Sequence, residues 1–233
     1  MRLILLLAAF LVPGSALAQS CPAPLARANK LVLVVADTWS STTARLQSFT
    51  RRSPRSPWQP DSGPVSALIG KNGLGWSFAF RNHAFPGEPV KQEGDKRAPV
   101  GFFRIGASFG FAPSSRPGYL QLNADTVCVD DLRSRAYNRI AARGVIGPNV
   151  HGENMRNVPQ YVRGLLVDYP TNARVRGGSC IFIHTRLPRA TGTSGCVAVD
   201  EPQVARLQDF AQNGAVLAIV PKTALVRFSG CLP

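Results

Sequence analysis

The chain has 233 residues, with 27 Lys and Arg against 13 Asp and Glu, a formal charge of +14, and five cysteines. That length suffices for one well-cored domain, and no segment carries the run of about 20 apolar residues that spans a bilayer. No GxGxxG, P-loop or zinc-ligand spacing occurs, so neither cofactor nor metal is expected. The basic charge suits anionic polymers outside the cytoplasm better than nucleic acid.

Residues 1–18 read as a cleaved signal peptide: Arg2 is the positive end, Leu3 to Val12 the apolar core, and Ala16-Leu17-Ala18 the cleavage site. The mature chain is then expected to start at Gln19, in the periplasm or cell envelope. Cys21 is not read as a lipidation site, because the preceding Ala-Gln-Ser lacks the required Leu. Leu31 to Ala36 is a continuous apolar run and reads as a buried strand. Trp39 to Phe49 reads as a second strand. Ser53 to Pro64 is a Pro- and Ser-rich loop holding part of the basic cluster Arg51, Arg52 and Arg55.

Val65, Ala67 and Ile69 alternate, Asn72-Gly73 signals a hairpin turn, and Trp76, Phe78 and Phe80 alternate on a return strand. Phe85 to Pro99 is a long polar loop containing Lys91, Glu93 and Asp95. Phe102 to Ile105, Tyr119 to Leu122, Val127 to Val129 and Leu165 to Tyr169 read as short strands, and Leu132 to Ala142 as a short helix. Asp200-Glu201-Pro202 starts a second helix, with Val204, Leu207 and Ala211 on one face and Asn213-Gly214 as its stop. Ala215 to Val220 is a last strand. Many short strands with one clear late helix indicate a mainly β fold.

The stretch Gly177 to Asp200, GGSCIFIHTRLPRATGTSGCVAVD, carries the chemistry. An apolar run ends on His184, and Cys196 opens a second β-prone run twelve residues later. If the two strands lie side by side, imidazole and thiol meet, and a Cys needs such a partner because the thiolate is the nucleophile. Gly195 leaves room for a substrate and lets backbone N–H groups face a developing oxyanion. Arg186 and Arg189, between the two strands, could clamp a substrate carboxylate. With Cys196 set aside as the free thiol, Cys21, Cys128, Cys180 and Cys231 allow three pairings. Cys128–Cys180 with Cys21–Cys231 is preferred, because the first two lie in facing apolar runs and the last two flank the domain.

GSCIFIH followed by TSGC resembles the catalytic signature of the YkuD-type L,D-transpeptidases, cysteine enzymes of bacterial peptidoglycan. GKNGLGW (70–76), KQEGDKRAPVGFF (91–103) and VDD…YN (129–138) stand upstream in the family's order. Two positions depart from it: Ser194 where many members have a second His, and Ala98 where they have Thr. The resemblance implies a single-domain β-sandwich with one or two short helices and the Cys in a cleft over one sheet. Residues 19–63 would belong to the same domain as a catalytic region at 64–233.

The resemblance also implies that the carbonyl of Thr185 holds the His184 ring, and that Asp130, Asp131, Tyr137 and Asn138 form part of the cleft wall near the substrate. Arg186 and Ser194, in the stretch between His184 and Cys196, are further candidates for substrate contact. The expected reaction is cross-linking of stem peptides through a Cys196 thioester. The links would be of the 3,3 type between diaminopimelates or of the 1,3 type from the L-Ala carbonyl. Hydrolysis of stem peptides and non-catalytic wall binding are the alternatives. The partners would be donor and acceptor stem peptides, and the protein a monomer. A metal site of His83, His151 and Glu153 fits no known ligand spacing. Papain-like and NlpC/P60-type enzymes put the Cys before the His, and sortases use a much longer gap, so none of these fits.

Overall fold

The apolar run near the start forms the strand Lys30–Ala36, in a computed structural model that describes residues 21–233. The signal-peptide segment lies outside the described residues. Lys30–Ala36 pairs in parallel with Ala215–Pro221 on one side and antiparallel with Thr43–Thr50 on the other. A strand covered along both edges and both faces reads as a continuous hydrophobic run rather than an alternating one, and Leu31, Val32 and Val34 are fully buried.

From this seam the sheet continues through Ala215–Pro221, Ala98–Gly110, Arg163–Val167, Phe182–Thr185, Val197–Val199, Val65–Leu68 and Thr43–Thr50, and so returns to Lys30–Ala36. The fold is therefore mainly β, as expected, and the sandwich takes the form of a closed mixed barrel of eight strands. Closure removes the free edges that an open sheet must protect. Two of its pairings are parallel: Lys30–Ala36 with Ala215–Pro221, and Phe182–Thr185 with Val197–Val199. Phe102, Phe103, Ile183, Val197 and Leu217 fill the core.

The helix Glu201–Phe210 follows Asp200 and has Pro202 in its first turn. It buries Val204 and Leu207, and Gln208 Nε2 donates to the carbonyls of Phe109 (2.9 Å) and Gly164 (3.0 Å). Asn213 and Gly214 end it with positive φ angles of 64° and 94°. A separate three-stranded antiparallel sheet, Gly152–Asn154, Thr126–Val129 and Ile140–Ala142, lies outside the barrel. The Cys128–Cys180 disulfide ties it to the segment leading into Phe182–Thr185. A second disulfide joins Cys21 to Cys231, and Cys196 is free.

Three local expectations are corrected. The Asn72-Gly73 turn forms, with Gly73 N–H donating to Gly70 O at 2.8 Å, but no hairpin follows. Both edges of Val65–Leu68 are already taken by Thr43–Thr50 and Val197–Val199. The chain passes instead into Leu74–Trp76, parallel to Ala98–Val100, and then into a 3₁₀ turn, Phe78–His83.

The expected helix at 132–142 is a series of turns ending in the strand Ile140–Ala142. Asp131 Oδ1 accepts the Arg133 N–H (2.9 Å), Ser134 Oγ accepts that of Ala136 (3.1 Å), and Asn138 has φ of 61°. These side chains offer the backbone local partners that compete with a helix. The short strand at 102–105 is part of a much longer one, Ala98–Gly110.

Candidate active site

The parallel strands Phe182–Thr185 and Val197–Val199 set the geometry. Their register puts Ile183 beside Val197 and His184 beside Ala198. Side chains alternate along a strand, so Phe182, His184, Cys196 and Ala198 share one face while Ile183 and Val197 enter the barrel core. That face opens into a cavity of about 370 Å³ lined by Cys196, His184, Ser194, Thr193, Tyr161 and Glu153, among others. The crossover between the strands supplies Leu187, Arg189 and Ala190 as an outer wall.

Cys196 is 7 % exposed. Its sulfur accepts the Phe182 N–H at 3.3 Å, and its thiol donates to Cys180 O at 3.4 Å. Burial pushes the thiol pKa up to about 12, against the pull of the Phe182 N–H and, more weakly, of Lys91; the charge of Glu153 adds to the rise. His184 is equally buried, and burial pulls its pKa down to about 4, although its bond to the Thr185 carbonyl opposes this. That bond, Nδ1 to Thr185 O at 2.9 Å, fixes the tautomer. A carbonyl can only accept, so Nδ1 carries the proton and Nε2 presents a lone pair. The resting pair is a neutral thiol and a neutral imidazole with a free basic nitrogen.

Gly195 has φ of 142°, a conformation L side chains rarely adopt, and a Cβ there would sit 3.0 Å from Arg97 O and 3.2 Å from Ile181 Cδ1. Thr193 locks the turn. Its hydroxyl donates to Cys196 O (2.7 Å) and accepts the Gly195 N–H (3.1 Å), while its backbone bridges to Ile69 and Lys71. Beneath it Lys91 is buried and paired with Asp95 at 2.8 Å. The Tyr161 ring stands edge-on to His184 with centroids 5.5 Å apart, and its hydroxyl donates to Glu153 Oε2 at 2.7 Å.

The remaining candidates divide. Ser194 is exposed in the cavity wall. Arg186 holds Asp200 through Nε and Nη2, with Nη2 reaching both carboxylate oxygens (2.7 and 2.8 Å). Asp200 therefore flanks its helix without a side-chain cap. Asp130 pairs with His151. Asp131 holds Arg133 and accepts the His151 N–H, and these bonds keep its carboxyl well below the usual range.

Tyr137 donates to Glu93, which also accepts Ser179 Oγ at 2.8 Å. Asn138 accepts the Cys180 N–H (3.0 Å) and donates to Tyr169 O (2.9 Å). Tyr137 and Asn138 thus brace the segment before the His184 strand, and Asn138 lines a second cavity together with Cys128, Tyr169 and Phe182. His83 packs among Trp76, Phe80 and Phe228, apart from His151 and Glu153. No group of three potential metal ligands occurs among the described residues. Tyr161, Lys71 and Thr193 carry no spacing signal of their own, except that a Thr three residues before the Cys is a common turn former.

A buried thiol and a bare imidazole nitrogen sharing one cavity, with backbone amides beside the sulfur, define a cysteine enzyme of the acyl-transfer kind. The YkuD family model, the L,D-transpeptidase catalytic domain, matches residues 58–220, and the chain belongs to that family. It is thus a cysteine L,D-transpeptidase of the cell wall, with peptidoglycan as its substrate class. No curated protein shows a significant match to it. No helix among the described residues is long and apolar enough to cross a membrane.

Proposed function

We propose that the protein joins two peptidoglycan stem peptides through a thioester on Cys196. His184 Nε2 takes the thiol proton as Sγ attacks a donor carbonyl. The Gly195 N–H is already held by Thr193, so the Cys196 N–H is the donor assigned to the oxyanion. As the tetrahedral intermediate collapses, His184 returns the proton to the leaving amine and the acyl group stays on sulfur. An acceptor amine then attacks the thioester, its proton passes to His184, and the thiol is restored. The observation that carries this reading is the Thr185 carbonyl on His184 Nδ1, which leaves Nε2 basic on the face that bears the thiol. Ser194, exposed in the cavity wall, is assigned to substrate contact.

Incubation with wall sacculi, digestion and weighing of the muropeptides tests the reaction. The mass of the joined product tells whether a diaminopimelate or an L-Ala carbonyl donated. Cys196→Ala and His184→Ala should each abolish joining, and the double variant should be no worse, because groups that act as one unit are not additive. The family resemblance adds that a carbapenem should acylate wild type once, at Cys196. Stems shortened but never joined would make the enzyme a hydrolase. Sacculus binding with neither product nor adduct would make it a wall-binding module. We also propose export, supported by residues 1–18 and by the two disulfides, which persist in oxidising compartments. An envelope form whose intact mass does not begin at Gln19 would refute the assigned cleavage.

A further inference from the structure

Among the described residues lining the Cys196 cavity, Glu153 alone bears a carboxylate. It lies on Gly152–Asn154, opposite Cys128 in the neighbouring strand, so the small outer sheet delivers it to the barrel's cavity. One oxygen, Oε2, accepts the Tyr161 hydroxyl. As a mere partner for Tyr161, a carboxylate is a costly choice in a partly buried site. Its charge also acts against acylation, since it raises the Cys196 thiol pKa. Raising the thiol pKa is the opposite of what forming the thiolate requires.

The second half-reaction has the opposite need. The acceptor arrives as an ammonium, since alkyl amines titrate near pH 10, and an ammonium has no lone pair for the thioester. His184 cannot meet this need alone, because it must also take the second proton as the carbon–nitrogen bond forms. We propose, resting on the thioester reading above, that Glu153 receives the acceptor: its carboxylate pairs with the incoming ammonium and takes the first proton. The neutral amine then attacks the thioester carbonyl, His184 Nε2 takes the second proton, the carbon–sulfur bond breaks, and that proton returns to sulfur. Glu153 gives its proton to solvent, so charge and atoms balance over the cycle.

The groups facing Glu153 fit this role. Tyr161, on the Pro159–Val162 turn, stabilises the charged form by its hydrogen bond, while burial and the Asp130 charge favour the protonated form. Cys196 and His184 face it from the barrel strands, and Lys71 and Arg189 line the same cavity. A group raised above the usual carboxylate range accepts a proton more readily than a surface Glu.

The test separates the two half-reactions. Glu153→Gln should take up the carbapenem at least as fast as wild type, yet its joining of disaccharide-tetrapeptides should fall by on the order of a hundredfold, with stems shortened by water instead. Hydroxylamine, a nucleophile already neutral at pH 7, should still capture the thioester at the wild-type rate. Tyr161→Phe removes the bond that stabilises the carboxylate, so the acidic limb of the joining profile should move to higher pH while that of acylation stays. This second variant carries the test if Glu153→Gln does not fold. Joining at the wild-type rate by Glu153→Gln, or an equal loss of acylation and joining, overturns the proposal. An unmoved acidic limb in Tyr161→Phe does so too. Wild type giving neither adduct nor joined product overturns the thioester reading, and this inference with it.

Discussion

Acidification should destabilise this protein through His184, beginning as the pH falls below the ordinary histidine value. The ring is buried and neutral, with its pKa pulled down to about 4 from an ordinary 6.5. Unfolded chains therefore take up a proton as the pH falls below 6.5, whereas folded ones do not until about 4. Stability is whole above the unfolded value and is lost as the pH falls through the folded one. A shift of that size corresponds to roughly 3 kcal/mol, most of it lost by about pH 4.5. That is a large share of a typical domain's stability. Urea unfolding followed by Trp fluorescence between pH 7.5 and 4.5 measures it. His184→Gln keeps a polar side chain but cannot titrate, so its stability should fall less steeply by about that amount. Parallel curves for the two proteins would refute a buried neutral imidazole.

The Cys196 thiol, raised to about 12 from 9, should hold a thiolate fraction about a thousandfold below that of an exposed cysteine at pH 8. Iodoacetamide should therefore label the native enzyme far more slowly than the urea-unfolded one, and equal rates would mean a resting thiolate. Replacing both Cys128 and Cys180 with Ser should cost about 2–5 kcal/mol in unfolding free energy. It should also slow carbapenem uptake, because Cys180 supplies the carbonyl that orients the thiol; uptake at the full rate would separate bridge from site.

What was legible in the sequence was local. GSCIFIH and TSGC carry their own strand signals, so His184 and Cys196 could be set on neighbouring strands from twenty residues of chain. The hairpin at Asn72-Gly73 failed because turn chemistry says where a chain reverses, not which edge is vacant, and Val65–Leu68 had none. The helix at 132–142 failed because Asp131 and Ser134 bond their own backbone. Barrel closure joins strands nearly the whole chain apart and leaves no periodic trace. Glu153 and Tyr161 come to the cavity on an outer sheet and a 3₁₀ turn, and neither element has a pattern aimed at the thiol.

The parallel pairing of Phe182–Thr185 with Val197–Val199 separates what can drift from what cannot. Parallel neighbours require a crossover, and here it is the loop through Leu187, Arg189 and Ala190 that walls the cavity. The relation of thiol to imidazole is fixed by the register of a single strand pair. A slip of one residue would turn either group to the opposite face, so the reacting pair is either aligned or absent. The loop answers to no such constraint, because its ends are pinned by the ladder whatever its length. Insertions there should reshape the mouth of the cavity, and with it the choice of peptide, while the bond-making atoms stay in position. Grafting loops of different length between Arg186 and Thr193 is thus a route to altered substrate preference in an otherwise unchanged enzyme.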